Sequence, residues 1–324
     1  MKHLLLGVDG GATKTLALVT DETGTALGVG RAGSSDIHAE VAPEVAIGRV
    51  AAAVHEAAAA ADIKVADLAS CVFSLCGADW PEDIELYVGS LTQRLALRAV
   101  PTVMNDAFGA LRAGTPDGIG VVLVVGTGAA VAARGLAGAT WFSGERIEAS
   151  GGQEFGRQSY DLMIRGEYGY GPVPGFQGAA LEAFSVKSVE DLVYTISRQG
   201  GLGRRSLTRL APVLLGAGHE GDPLARPIIE EQGALLAGYV RRAAARVSLD
   251  PQSTTVVISG GVFRHHGSDL MDAVSDGLAG FRIERSAVEP VYGALLTAAD
   301  EHGLSLDIER LLETGPGRSF FDTM

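Results

Sequence analysis

Cysteine is scarce in this chain, which has only Cys71 and Cys76 among its 324 residues. Two cysteines are too few for a disulfide framework, and no further cysteine or histidine accompanies them at the spacing of a metal site. Both lie in or beside the apolar run CVFSLC, and free cysteine in such a run is usually a buried side chain. We therefore expect two buried thiols that hold no metal.

Long apolar runs and basic clusters are also missing. No apolar stretch approaches the roughly 20 residues that span a bilayer, and the N-terminal stretch reaches Asp9 before a signal sequence could form. Acidic residues outnumber basic ones by 39 to 26, which gives a formal net charge of −13. This pattern argues against nucleic acid and membranes as partners. We expect a cytoplasmic, soluble protein.

The residues that are present suit a compact protein with more than one core. Hydrophobic residues make up 47% of the chain and charged residues 20%, which excludes a disordered protein. A length of 324 residues predicts two domains.

The stretch DGGATKT, residues 9–15, lies between two apolar runs. A P-loop needs glycine before its lysine, whereas Thr13 precedes Lys14 here, and both the P-loop and the dinucleotide fingerprint lead into a helix. The next residues, LALVTDETG, instead alternate and end in a turn, which predicts a meander of short strands.

A glycine turn of this kind either is an ordinary hairpin or binds phosphate. Glycine lets backbone N–H groups face an anion, and here Thr13 and Thr15 add hydroxyl groups and Lys14 a positive charge. Asp9 is compatible with phosphates when Mg²⁺ lies between them.

Two further stretches repeat the pattern of a strand followed by glycines. Residues 119–135, IGVVLVVGTGAAVAARG, share the layout of the first hairpin, and TTVVISGG at 254–261 ends in Gly260 and Gly261. Two similar hairpins indicate a duplicated fold that binds a nucleotide between its halves. A glycine pair after a buried strand allows another backbone or a ligand, here the adenosine end, to come close.

Asn105 and Asp106 follow the short strand VPTVM, at the point where a helix begins. Asp106 is either a helix N-cap or a carboxylate held at a strand end to accept a proton.

The ordered set DGGATKT, SLCGADWPED, NDAFGALRAG, VVGTG, ISGGVF and EPVYGALLTA resembles the N-acetylglucosamine kinase-like branch of the sugar kinase/hsp70/actin superfamily, also called the BadF/BadG/BcrA/BcrD ATPase family. The resemblance implies an α/β fold with two RNase H-like, actin-like ATPase domains and a nucleotide cleft between them. It places the first domain at 1–113 plus 300–324 and the second at 114–299. Helices are expected over 45–69 and 225–248, and a homodimer is a family expectation.

The resemblance also implies roles for individual residues. Asp9 would organise Mg²⁺, through water, and Asp106 would be the catalytic base. The expected ATP-binding residues, besides Asp9, are Gly10, Gly11, Thr13, Lys14, Thr15, Gly126, Thr127, Gly128, Gly260 and Gly261. The expected acceptor-site residues are Asp36, Gly77, Asp79, Asn105, Asp106, Ala129, Glu154 and Arg157.

The acceptor site departs from the family pattern. Ala129 replaces a serine, and Arg157 falls where the family has a GDEGS-like stretch, so either the substrate differs or Glu154 or Asp161 holds the sugar instead. Arg157 would favour an anionic group on the substrate, unless it is a surface arginine. Asp36 stands where related amino-sugar kinases have Asn, and an ionised Asp only accepts hydrogen bonds.

These observations predict an ATP-dependent kinase that phosphorylates a hydroxyl of a sugar or amino sugar, such as glucosamine or N-acetylglucosamine. One alternative is an ATP-driven activator of a radical dehydratase, which needs cysteines around an iron–sulfur cluster. Another is a sensor of the same fold without catalysis.

Overall fold

The computed structural model describes residues 3–38, 42–144, 151–264, 267, 269–317 and 320. The chain divides into two compact units. Unit 1 consists of Met1–Gly120 and Glu284–Met324, and unit 2 consists of Val121–Ile283. Short 3₁₀ turns lie at Val65–Asp67, Arg204–Leu210, Pro251–Ser253 and Gly261–Arg264.

Unit 1 contains a five-stranded sheet in the order β3-β2-β1-β4-β5. Its strands are β1 (Leu4–Gly10), β2 (Lys14–Thr20), β3 (Ala26–Gly33), β4 (Leu68–Leu75) and β5 (Thr102–Asn105). Strand β2 is antiparallel to β1 and β3, whereas β1, β4 and β5 run parallel. The first three strands are therefore the predicted meander, with Gly10 opposite Thr15 across the glycine turn.

Helices pack against both faces of this sheet. Successive side chains of a strand point to opposite faces, so one strand contributes residues to both cores. Leu6 and Val8 of β1 join the core beneath the helices α1 (Pro43–Ala60) and α2 (Pro81–Leu95). Leu5, the residue before Leu6, joins the core on the other face. A third helix, α3 (Asp106–Gly114), follows β5 directly.

Unit 2 repeats this plan. Its sheet has the order β10-β9-β6-β7-β8, with β6 parallel to β9 and β7 antiparallel to β8. The strands are β6 (Gly120–Val125), β7 (Ala129–Arg134), β8 (Thr140–Phe142), β9 (Thr255–Ser259) and β10 (Arg282–Arg285). The helices are α4 (Gly152–Glu167), α5 (Gln177–Ala183), α6 (Val189–Ser197), α7 (Ala211–His219), α8 (Ala225–Arg246) and α9 (Asp269–Asp276). Two sheets of one plan agree with the duplication that the hairpins indicate.

The chain then returns to unit 1 with α10 (Pro290–Glu301) and α11 (Ile308–Thr314). The division expected from the sequence places residues 284–299 in the second domain, whereas α10 packs within unit 1. Tyr292 and Leu295 of α10 join Leu5 and Leu16 in one core cluster. Near the end of α10, Asp300 pairs with the buried Arg112 at 2.8 Å.

Candidate active site

Four loops of unit 1 leave the same edge of its sheet. Because β1, β3, β4 and β5 all run in one direction, the segments that follow them start at a shared edge. The carboxyl ends of parallel strands are where open α/β sheets bind ligands. Asp9, Asp36, Asp79 and Asp106, which the sequence predicts as site residues, all lie at this edge.

Backbone hydrogen bonds tie these loops together. The Cys76 amide donates to the Gly10 carbonyl at 2.7 Å, and the Ser35 amide donates to the Gly11 carbonyl at 3.2 Å. Gly77 packs against the Asp36 loop, since a Cβ on Gly77 would lie 3.4 Å from Asp36 Oδ1. Gly77 therefore shapes the loop with its backbone.

Asp106 is the first residue of α3, and Asn105 is its N-cap. The Asn105 Oδ1 accepts the Ala107 amide at 3.0 Å, and the Asn105 Nδ2 donates to Asp79 Oδ1 at 2.7 Å. The structure thus gives the capping role to Asn105 and leaves the Asp106 carboxylate half-buried at the sheet edge. Because both ends of the Asn105 amide have partners within unit 1, this side chain orders the site.

Ser74 of β4 fixes the position of α3 through hydrogen bonds to the backbone of that helix. This buried serine lies one residue before the end of β4, and its Oγ donates to the carbonyl of Asp106 at 3.2 Å and accepts the Gly109 amide at 3.1 Å. Sequence reasoning did not identify Ser74, because β4 carries two serines, Ser70 and Ser74, and the residue pattern does not distinguish them.

The surroundings of Asp106 favour its neutral form. Burial, followed by the negative charge of Asp79, raises the pKa of Asp106 to about 7, although backbone amides partly oppose the shift. Asp36 raises it further. A carboxylate with a pKa near 7 is half ionised at neutral pH and can accept a proton from a hydroxyl group.

The pKa of Asp9, at the end of β1, is raised for similar reasons. Burial, with the negative charges of Asp106 and Glu289, raises the pKa of Asp9 to about 8, and Lys14 lowers it in part. Glu289 is a second residue that sequence reasoning missed. It directly precedes α10, in the motif EPVYGALLTA, so its distance along the chain concealed its proximity to Asp9.

The first glycine turn is held by its own backbone. The Gly11 amide donates to the Lys14 carbonyl at 2.8 Å. The Thr15 hydroxyl donates to the Gly33 carbonyl at 2.7 Å and is buried, so its proton is not available to a phosphate. Thr13, by contrast, is exposed at the tip of the turn.

The second glycine turn, in unit 2, lies against the start of α4. The Gly126 amide donates to the Gly128 carbonyl at 2.9 Å, and the amides of Gly152 and Gln153 donate to the carbonyls of Gly126 and Thr127 at 2.8 and 2.9 Å. An added Cβ at Gly126 or Gly128 would meet no atom within 4 Å. Among the described residues, no atom therefore fills the space where a side chain at these two positions would lie.

Gly260 and Gly261 follow β9 and have different environments. Gly260 has a φ of +101°, and a Cβ there would lie 2.3 Å from the Val125 carbonyl oxygen. The close approach of strand β6 therefore explains why position 260 is a glycine. A Cβ on Gly261 would meet no atom within 4 Å, which leaves room for a ligand beside it.

Glu154 and Arg157 lie in the first turns of α4 and bind one another. Arg157 contacts Glu154 at 2.6 Å and Asp161 at 2.5 Å. Burial acts to raise the pKa of Glu154, but hydrogen bonds from Arg157 and Gln158 bring it below its ordinary value. The charge of Arg157 is therefore balanced by two carboxylates. These residues line a cavity of about 560 Å³ between α4 and α8, and Ala129 lies half-buried at the start of β7.

The two units have sheets with the same strand arrangement. This protein therefore has the actin-like ATPase fold that was predicted from the sequence. A solved structure from Chromobacterium violaceum, described as a candidate N-acetylglucosamine kinase, has this fold with a TM-score of 0.68. The two sequences are 21% identical, and the match covers 91% of this chain and 98% of the chain from Chromobacterium violaceum.

The family resemblance is also confirmed. Residues 6–150 match the BadF/BadG/BcrA/BcrD ATPase family. The N-acetyl-D-glucosamine kinase of Dictyostelium discoideum is 25% identical over 312 residues, which cover 92% of this chain and 98% of the relative. The N-acetylmuramic acid/N-acetylglucosamine kinase of Clostridium acetobutylicum is 25% identical over 82% of this chain and 87% of its own length. Among the described helices, none is both long and apolar enough to traverse a bilayer.

Proposed function

We propose that this chain is an ATP-dependent kinase that phosphorylates a hydroxyl of an amino sugar or a related sugar. The observation that carries the proposal is Asp106, a half-buried carboxylate at the carboxyl edge of a parallel sheet. Its pKa is raised to about 7, and Asn105 relieves it of the capping role. The relatives named as N-acetylglucosamine kinases support the same activity.

In the proposed reaction, the acceptor hydroxyl gives its proton to the Asp106 carboxylate while its oxygen bonds to the γ-phosphorus of ATP. The bond from that phosphorus to the β,γ-bridging oxygen breaks, and ADP leaves with the electron pair. A positioned base of this kind contributes roughly 10²–10⁴-fold to the rate, and the rest of the catalysis comes from positioning and charge neutralisation.

The phosphates of ATP are proposed to bind the glycine turns at residues 10–15 and 126–128, and the adenosine to bind beside Gly261. The open space beside Gly126, Gly128 and Gly261 supports these assignments, as does the exposure of Thr13. Thr15 contributes its backbone and its place in β2, since its hydroxyl is bound to Gly33.

Asp9 is proposed to hold Mg²⁺ through water, and the ion would neutralise the charge that develops on the phosphates. The residues fit this role because Mg²⁺ in nucleotide sites takes one or two carboxylates and completes its shell with phosphates and water. A cation would also relieve the repulsion between Asp9 and its acidic neighbours.

The acceptor is proposed to be neutral or positively charged, as N-acetylglucosamine and glucosamine are. Asp36 and Asp79 place negative charge around Asp106, and the charge of Arg157 is balanced by Glu154 and Asp161. An acidic sugar would therefore meet net repulsion at this site.

ADP release against a panel of hexoses, amino sugars, N-acetyl sugars, sugar acids and cyclitols tests the proposal. We expect turnover with the neutral or cationic amino sugars and a loss of roughly 10²–10⁴-fold in Asp106→Asn, with ATP still bound. Turnover that survives in Asp106→Asn would refute the assignment of the base, and silence across the panel would refute the kinase.

The dehydratase-activator alternative is not favoured. Cys71 is buried within β4, and burial raises the pKa of its thiol to about 12, which is unsuited to a cluster ligand. Cys76, which was expected to be buried as well, is half-buried.

A further inference from the structure

Two side chains on one face of α2 each contact the same pair of loops. We call residues 34–38, which carry Asp36, loop A, and residues 76–80, which carry Asp79, loop B. Asp83 and Tyr87 are four residues apart in α2, so they lie one above the other on the helix surface. Loops A and B carry the two carboxylates whose charges act on Asp106.

Tyr87 bridges the loops through its hydroxyl group. Its side chain is fully buried, and its Oη lies 2.5 Å from the Ser35 carbonyl oxygen in loop A and 3.1 Å from the Cys76 carbonyl oxygen in loop B. A phenol has one proton, so the two carbonyls share a single donor. Without the hydroxyl, two carbonyl groups in a buried region would lose this donor, which is costly.

Asp83 bridges the same loops from one turn earlier. Its Oδ2 accepts the backbone amides of Trp80 and Asp79 in loop B at 3.0 and 3.3 Å. The same oxygen lies 3.2 Å from His38 Nε2 in loop A. Each loop is thus attached to α2 at two points, one on either side of its carboxylate.

We propose that Asp83 and Tyr87 are positioning residues that set the separation of Asp36 and Asp79 and thereby the affinity for the acceptor. This inference rests on the proposed kinase function. Neither residue needs to touch the substrate, since both act through the backbone of the loops. The turn at 126–128 has its own hydrogen bonds in unit 2. The turn at 10–15 is closed by the bond from the Gly11 amide to the Lys14 carbonyl, so we expect it to keep its shape although Ser35 and Cys76 also bond to it.

Tyr87→Phe tests the proposal because it removes the hydroxyl and keeps the ring in the core. We expect the KM for the acceptor to rise roughly tenfold, with the KM for ATP unchanged and kcat changed less than twofold. The matched control is Thr92→Val, which removes a hydroxyl of the same helix that bonds only to the Val88 carbonyl, at 2.7 Å. The control should leave both KM values unchanged.

Hydrogen exchange of the loop amides provides a readout that does not need activity. In Tyr87→Phe, residues 34–38 and 76–80 should exchange faster while the rest of unit 1 is unchanged. Unchanged exchange in both loops, or an equal rise in both KM values, would overturn the proposal. An inactive wild type would refute the kinase, and the exchange result would still decide whether Tyr87 orders the loops.

A second variant guards against misfolding of Tyr87→Phe. His38→Ala removes the loop A end of the Asp83 bridge, and the His38 side chain is 49% exposed, so the fold should tolerate the change. We expect a smaller rise in the acceptor KM, roughly threefold. An acceptor KM equal to that of the wild type would contradict the bridge through Asp83.

Discussion

At the scale of single residues, the carboxylates at the sheet edge of unit 1 lower the stability of the fold. Asp9, Asp36, Asp79 and Asp106 lie along one sheet edge, and their mutual repulsion adds to the cost of burial. Groups with such shifted pKa values are typical of active sites. The loss of folding free energy that these carboxylates cause can be measured through the dependence of stability on pH.

Asp106→Asn should stabilise the protein at alkaline pH. The pKa of Asp106 rises from 3.8 to about 7 on folding, so the folded state holds the extra proton between these values. Stability is therefore lost as pH rises from about 4 to 7, and the loss is complete above pH 7. Asparagine avoids this cost, and we expect a gain on the order of 2 kcal/mol at pH 8 and none near pH 4. Urea unfolding at both values measures it.

The exposed Asp67→Asn is the control for this experiment and should show no such pH-dependent gain. A variant of Asp106 no more stable than the wild type at pH 8 would mean that Asp106 is ionised without penalty in the folded protein.

Asp79→Asn should shift the pH dependence of catalysis. The charge of Asp79 is the largest electrostatic contribution that raises the pKa of Asp106. Asparagine keeps an oxygen for the bond from Asn105 and removes the charge, so the acid limb of kcat/KM should move down by roughly 0.5–1 pH unit. A pH–rate profile measures the shift. The exposed Asp276→Asn should leave the profile in place, and an unmoved limb in Asp79→Asn would show that another group controls it.

Sequence reasoning located the carboxylates but not their hydrogen-bond partners. Asp9 and Asp106 stand out because each follows an apolar strand at a glycine turn or a helix start. The bonds of Thr15 to Gly33 and of Asn105 to Asp79 join residues that are distant in the chain, so no local residue pattern specifies them. Arg157 illustrates the same limit, since its partners Glu154 and Asp161 come into reach only when residues 152–167 form a helix.

At the scale of elements, the β6–β7 turn and the end of β9 use glycine for different reasons. Gly260 must be glycine because β6 lies against it and its φ is positive. A Cβ on Gly128 would meet no atom of the described residues within 4 Å. The protein itself therefore does not require glycine at position 128, whereas a phosphate bound to the backbone would.

Gly260→Ala and Gly128→Ala form a matched pair that separates these reasons. Gly260→Ala should lower the free energy of unfolding by about 2–4 kcal/mol, because the new Cβ would clash with the Val125 carbonyl in a strained conformation. Gly128→Ala should unfold like the wild type and raise the KM for ATP roughly tenfold or more. Thermal unfolding and ATP kinetics measure both, and an unchanged KM for ATP in Gly128→Ala would place the phosphates elsewhere.

Hydrophobic periodicity predicted those helices and strands whose residue pattern lies within one continuous stretch of the sequence. The stretch 225–248 forms α8, and the meander follows from alternation between glycine turns. The alanine-rich stretch 45–69 forms α1, but the helix ends at Ala60 because Leu68 already begins β4. The unit to which α10 belongs was not predictable in this way, because its partners Leu5 and Leu16 lie far away in the chain.

At the scale of the whole molecule, the two units differ in how the chain builds them. Unit 2 is one continuous segment, and its core cluster draws only on residues between Val121 and Ile283. Unit 1 joins two segments, and α10 supplies Tyr292 and Leu295 to the core beside Leu5. Unit 1 therefore cannot complete its core until the last part of the chain is present.

Expression of fragments should reveal this difference. Residues 119–286, which include all of β6 and β10, should fold alone and unfold cooperatively on heating, because the large core cluster of unit 2 lies within them. Residues 1–118 should fail to fold, since they lack α10 and leave Arg112 buried without Asp300. Joining 1–118 to 287–324 through a flexible linker of about ten residues should restore a cooperative unit. Circular dichroism during heating distinguishes these outcomes, and a folded 1–118 would show that α10 is dispensable for the core of unit 1.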